Sequence, residues 1–185
     1  GGSNQAASWR VDAERCVNLQ LETQDVEGAP AKYYYVTPGI DLVQSVGSMH
    51  RASLSIDGRA YVVAGDTFAE VFADGSSTVI GTVTDDGRPA SMATNGPGGL
   101  QVMVVAGGNG YIYNTSTAAF AQIADADFPA NVGMCAFLDG YFLVNQKNTA
   151  KFYISALEDG TAWDPLDVAQ KSQTADYILS LFVDL

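Results

Sequence analysis

The strongest constraint on this chain is that it repeats itself. Three stretches run into a turn pair, Asp57-Gly58, Asn95-Gly96 and Asp139-Gly140, and these pairs stand 38 and 44 residues apart. Asn or Asp followed by Gly favours a tight hairpin, because Gly accepts positive φ at no steric cost and Asn or Asp tolerates it. After each pair come three short apolar runs: 61–63, 67–72 and 78–83 in the first unit, 100–105, 110–114 and 119–123 in the second, 141–144, 151–155 and 163–168 in the third. With one strand before each pair, every unit offers about four strands. Further pairs, Asp74-Gly75, Asp86-Gly87, Asn109-Gly110 and Asp159-Gly160, punctuate the chain. Several runs are apolar without alternation, as expected of strands covered on both faces. No window of three helical turns keeps an apolar stripe at a 3.6-residue period.

Four-strand units of roughly 40–50 residues are the size of a β-propeller blade, which must stack on neighbours to bury its faces. The expected fold is therefore all-β, a partial β-propeller of about three four-stranded blades at 46–88, 89–131 and 132–172. Residues 173–185 are expected to give the first strand of a fourth, with Asp184 standing 45 residues after Asp139. Residues 4–45 do not repeat and read as an extended amino-terminal arm with entry strands; 1–3 read as a linker or tag scar. The chain stops at Leu185 inside an apolar run, 177–183, which suggests the front part of a longer protein. A two-sheet sandwich of a dozen strands is the alternative architecture.

Composition narrows the function. Nine Lys and Arg against 21 Asp and Glu leave a net charge of −12, and no Lys or Arg lies between Arg88 and Lys147. Nucleic acid held through its phosphates needs clustered cations, so at most non-specific contact with DNA is expected. With 47% hydrophobic and 16% charged residues the chain is too apolar for a disordered tail. No apolar stretch of about 18 residues offers a membrane span. Cys16 and Cys135 are too few for a disulfide scaffold or a four-thiolate zinc site, and both read as free thiols.

The residues that could carry chemistry do not assemble into a site. His50 is the single histidine, beside Arg51, and no G-x-S-x-G accompanies it, so a Ser-His-Asp relay is not expected. The acid pairs Asp125/Asp127 and Asp164/Asp167 could in principle serve sugar hydrolysis or bind calcium. Their spacing fits turns and solvated loops better, and neither matches a twelve-residue calcium loop. Residues 158–164 are similar to the aspartate box of sialidases in composition but not in register, and such boxes are structural turns. Asn114-Thr115-Ser116 is a formal glycosylation sequon with no secretory signal pattern at the amino terminus. Gly107-Gly108-Asn109-Gly110 lacks dinucleotide-binding spacing and reads as a hairpin loop. No catalytic, cofactor-binding or metal-binding residue is assigned, and no cofactor is expected.

Several phrases in order carry a family resemblance: residues 14–19 (ERCVNL), 35–40 (YVTPGI), 90–96 (ASMATNG), 137–142 (FLDGYF), 151–155 (KFYIS) and 159–167 (DGTAWDPLD). From about residue 10 to the end the chain resembles the amino-terminal part of the packaged-DNA stabilisation, or tail-hub, proteins of short-tailed bacteriophages. The resemblance implies a non-enzymatic virion protein of the phage tail, made in the bacterial host cytoplasm. It implies several copies that complete the head-to-tail joint below portal and adaptor proteins, retain packaged DNA, and bind the tail needle or further tail components. Members are about twice this length or more. Two other readings stay open, a carbohydrate-binding or carbohydrate-active propeller and a generic protein-interaction propeller. An acidic or neutral conduit would let DNA slide, where Lys and Arg would grip it.

Overall fold

Tight turns are what turn this sequence into sheets. In the computed structural model, Asp139 and Gly140 both take positive φ, 51° and 86°, and close a two-residue hairpin in which Leu138 faces Tyr141. That backbone twist matches the right-handed twist of the strands it joins. The structure describes residues 4–5, 15–16, 19–26, 29–36, 42, 44–56, 58–171 and 176–183. The expected scar at 1–3, the turn residue Asp57, Asp184 and the Cys16 side chain lie outside the described residues.

The chain divides into two units, Gly1–Val43 and Gln44–Leu185. In the first, β1 (Asn4–Gln5) pairs with β2 (Arg15–Cys16), and β3 (Leu19–Val26) pairs antiparallel with β4 (Ala29–Val36) from Leu19–Val36 to Val26–Ala29.

The second unit holds three antiparallel four-stranded sheets, each a meander in chain order. The first comprises β5 (His50–Ile56), β6 (Arg59–Ala64), β7 (Thr67–Val71) and β8 (Ser77–Thr82). The second comprises β9 (Ser91–Thr94), β10 (Gln101–Ala106), β11 (Asn109–Asn114) and β12 (Phe120–Gln122). The third comprises β13 (Val132–Leu138), β14 (Tyr141–Gln146), β15 (Lys151–Ala156) and β16 (Asp159–Gln170). The opening strands begin at 50, 91 and 132, an interval of 41 residues each time. Strand β9 packs against both β5 and β13, so the opening strands form the inner edge of the stack. Three such sheets, stacked face to face and not closed, are the partial propeller that the repeat implies.

Two apolar layers cement the stack. Tyr61, Val63 and Phe68 of the first sheet meet Val102, Val104, Tyr111 and Tyr113 of the second, and Tyr61, Val63 and Phe68 are wholly buried. Met103, Val105 and Ile112 on the opposite face of the second sheet meet Val132, Cys135, Phe142, Val144 and Trp163 of the third. Burying each such side chain contributes about 1.5–3 kcal/mol, so the sheets hold one another in place.

Three details differ from the sequence expectation. Asn109-Gly110 is not a turn: Gly107 and Gly108, at φ 58° and 86°, make the turn, and Gly110 lies in β11. A Cβ on Gly110 would collide with the Phe128 ring, so its role is close approach. Asp159-Gly160 likewise opens β16, and the turn before it is Leu157-Glu158 with Glu158 at φ 55°. Asn95-Gly96 leads into a single helical turn, α1 (Gly96–Gly99), rather than a two-residue hairpin. The described part of the expected fourth opening strand, 176–183, forms no ladder. It is nevertheless placed like an opening strand. The Ile178 N–H donates to the Thr149 carbonyl at 2.9 Å, as the Val132 N–H that opens β13 donates to the Gly108 carbonyl at 3.1 Å.

Candidate interaction surfaces

The polar side chains that the sequence left without a role mostly stitch the sheets together. Arg51 on β5 has no exposed side-chain surface. Its guanidinium donates to the carbonyls of Arg88 (2.6 Å), Gly65 (2.8 Å) and Thr84 (2.9 Å) and to Asp86 Oδ1 at 2.5 Å. It thereby anchors the linker between the first and second sheets, and every buried N–H on it named here has a partner. Thr84 on that linker receives the second sheet: its N–H donates to Tyr111 Oη at 3.1 Å, and Asn109 Nδ2 donates to its Oγ1 at 3.0 Å.

A separate cluster sits in the first seam. Arg59 forms a two-pronged pair with Glu70, Nε to Oε1 at 2.6 Å and Nη2 to Oε2 at 2.7 Å, and lies 5.3 Å from the centre of the Tyr61 ring. The hydrogen bond to Glu70 holds the guanidinium even more firmly protonated than usual. Burial pushes the Tyr61 phenol up to about 12, and its hydroxyl has no hydrogen-bond partner.

The second seam is bonded along its height. Ser91 Oγ donates to the Cys135 carbonyl at 3.2 Å and receives the Cys135 N–H at 3.1 Å. Gln101 Nε2 donates to Asp159 Oδ1 at 3.1 Å while its Oε1 accepts from the Gly160 N–H at 2.8 Å. Asn95 Nδ2 donates to the Glu158 carbonyl at 3.0 Å, which sets the same ends of the two sheets side by side.

The residues weighed for chemistry are accounted for in this way. His50 starts β5 and is exposed. Asp125 accepts the N–H groups of Asp127 (2.9 Å) and Trp163 (3.0 Å), and these two bonds hold its carboxyl below the usual range. Asp164 accepts the Leu166 N–H at 2.8 Å, and both Asp164 and Asp167 are exposed. Asp159 turns its own strand by accepting the Thr161 N–H and hydroxyl at 2.9 and 2.7 Å. Asn114 Oδ1 accepts the N–H groups of Ser116 and Thr117, so the sequon asparagine shapes a turn. Cys135 is a free, buried thiol that burial pushes up to about 12. Among the described residues no group of three His, Cys, Asp or Glu could hold a metal ion, and no helix is long and apolar enough to cross a membrane.

What remains for partners is surface. The third sheet turns Ala136, Leu143 and Ile154 away from the second seam, aligned across three strands, with Leu138 opposite Tyr141 beside them. Leu138 is 42% and Tyr141 37% exposed, whereas the corresponding face of the first sheet lies under its neighbour. Among the exposed aromatics, Phe72 follows β7 in the first sheet and Tyr141 begins β14 in the third.

No curated protein matches the sequence. Among solved structures, the chain is similar to the Pan2 WD40 domain of Neurospora crassa at 12% identity and a TM-score of 0.40, over 68% of this chain and 36% of that one. It is similar to PorZ, a surface component of the type-IX secretion system of Porphyromonas gingivalis, at 14% identity and a TM-score of 0.43, over 63% of this chain and 16% of that one. It is also similar to a chain of a mitotic checkpoint complex at 12% identity and a TM-score of 0.46, over 86% of this chain and 51% of that one. The chain thus spans between about a sixth and a half of these structures, and at such scores they carry no argument about function. The family model Phage_stabilise, "Bacteriophage P22 Gp10, beta-propeller", matches residues 3–183, nearly the whole sequence. The chain therefore belongs to the Phage_stabilise family: it is a structural β-propeller protein of the bacteriophage tail.

Proposed function

We propose that the chain is part of a tail hub that completes the head-to-tail joint and helps retain packaged DNA. In this reading it acts in several copies, against portal or adaptor proteins on one side and the tail needle or further tail components on the other. The family match over residues 3–183 is the observation that carries the reading. The inner strands bear on how DNA would pass, not on how it would be held. Apart from His50, the cation on β5, β9 and β13 is Arg51, and its guanidinium is fully committed to carbonyls and Asp86. Such strands offer DNA no counterion-releasing grip. The blade span 46–172 and the arm 4–45 are part of the same proposal: blades for ring contacts, arm for attachment. Deleting the gene from its phage tests the reading. Heads should still fill and then lose their genomes, seen as empty capsids by electron microscopy, and the supplied protein should restore filled particles. Mutant heads that keep their DNA and join tails normally would end it.

A further inference from the structure

The two ends of the sheet stack are chemically different. Turns joining first to second and third to fourth strands emerge at one end of every sheet, and second-to-third turns with the inter-sheet linkers emerge at the other. At the first end each sheet exposes a large apolar side chain on a turn, Phe72 (41%), Leu100 (40%) and Leu157 (64%), and on the third sheet Leu138 and Tyr141 flank the other turn. Asp74 and Glu158 stand exposed on the turns of Phe72 and Leu157, and Asp139 stands exposed on the other turn of the third sheet at this end; the Leu100 turn carries no carboxylate. Among the described residues the cation at that end is Arg59, and Glu70 occupies it through both prongs. The other end mixes signs. Arg88, Lys147, Lys151 and Lys171 lie there with Asp66, Asp85 and Asp86, and Lys147 Nζ is 3.9 Å from Asp86.

An exposed apolar residue alone is ordinary. One on every sheet, at one end, with exposed carboxylates on turns of the first and third sheets that form no ion pair among the described residues, is a pattern. Apolar loops lose water only against an apolar counterpart, and the carboxylates left at the rim favour a counterpart that brings positive charge. We propose that this end is a docking surface for a protein that presents apolar side chains between lysines or arginines. The carboxylates set orientation and speed of encounter, and Phe72, Leu100 and Leu157 supply the buried contact.

The test uses the purified chain and a short amphipathic peptide of alternating leucine and lysine. Hydrogen exchange of the complex should show slowed amides in 72–76, 96–100 and 157–158. A leucine–glutamate peptide should not bind, and added salt should weaken the complex. The triple variant Asp74→Lys/Asp139→Lys/Glu158→Lys should weaken binding about tenfold or more. Phe72→Ser/Leu157→Ser should weaken it with little change in salt dependence. These are surface turns, and an unchanged thermal melt would show that the variants fold. The proposal is overturned if protection maps to 65–67 and 84–88, or if the triple variant binds as tightly as the parent. Either failure leaves the tail assignment untouched, because the test needs no phage.

Discussion

Two equivalent sheet faces meet different fates in this molecule. Counted from their hairpins, Tyr61 and Leu143 take corresponding places, as do Phe68 and Phe152, and Glu70 and Ile154. On the first sheet this face lies under the second sheet, and Tyr61 and Phe68 are wholly buried. On the third sheet Leu143, Phe152 and Ile154 are half-buried, with Leu138 and Tyr141 more open still. The covered face carries a charged pair inside it and the open face does not. A sheet neighbour therefore does more than hide apolar surface. It makes the environment in which Arg59 and Glu70 must find each other, because a charge lacking its partner under that neighbour would be costly.

The sharpest way to break this comparison is to truncate the corresponding aromatics. Phe68→Ala should cost about 3–5 kcal/mol in urea unfolding, because it leaves a cavity in a closed seam. Phe152→Ala should cost about 1 kcal/mol or less, since water already reaches that face. Equal losses would mean that the two faces are not equivalent. Next in size is Glu70→Ala, expected to cost about 2 kcal/mol by stripping Arg59 of its charged acceptor. Its counterpart Ile154→Glu should change the same unfolding midpoint little, because the new carboxylate can stay hydrated.

A smaller effect has the opposite sign. The buried Tyr61 hydroxyl lacks a partner, and leaving such a group unsatisfied costs about 1–3 kcal/mol. Tyr61→Phe should therefore be neutral or stabilising by up to about 1 kcal/mol in urea unfolding. A clear destabilisation would show that the hydroxyl is satisfied in the folded protein.

The smallest effect belongs to Asp125, which joins the linker of the second sheet to Trp163 of the third. Its carboxyl is held below the usual range by the N–H groups of Asp127 and Trp163. A depressed carboxyl contributes stability above its unfolded value, about 3.9, and loses it as pH falls through the lower folded value. Below about pH 4 the parent should lose stability slightly faster than Asp125→Asn, as read from thermal melts across that range.

Much of this architecture was legible in the residues. The repeat, the four strands of each unit and the hairpin at Asp139-Gly140 follow from turn chemistry and apolar runs, both local signals. The failures are local signals overruled by neighbours. Asn109-Gly110 is as good a turn pair as any, but Gly107-Gly108 just before it supplies two positive-φ residues, and the Phe128 ring needs the space at Gly110. Leu157-Glu158 turns although neither residue is a favoured turn former, because the β15–β16 ladder brings Ala156 opposite Asp159. The stitching of the seams was not legible at all. Arg51 to Asp86, Thr84 to Tyr111 and Gln101 to Asp159 join residues 25 or more apart in the chain, and no spacing rule links them.

The outer strand of the third sheet has one more consequence. Between its pairings at Trp163 and Val168 it steps over four residues while β15 steps over one, so Asp164-Pro165-Leu166-Asp167 leaves the ladder. A straight twelve-residue margin would be an invitation for another chain to add itself edge-on and keep adding, as fibrils do. A proline without an amide hydrogen and two negative charges in the middle of that margin interrupt any such growth. The same four residues that break the pairing therefore keep this margin from serving as a template for edge-on growth.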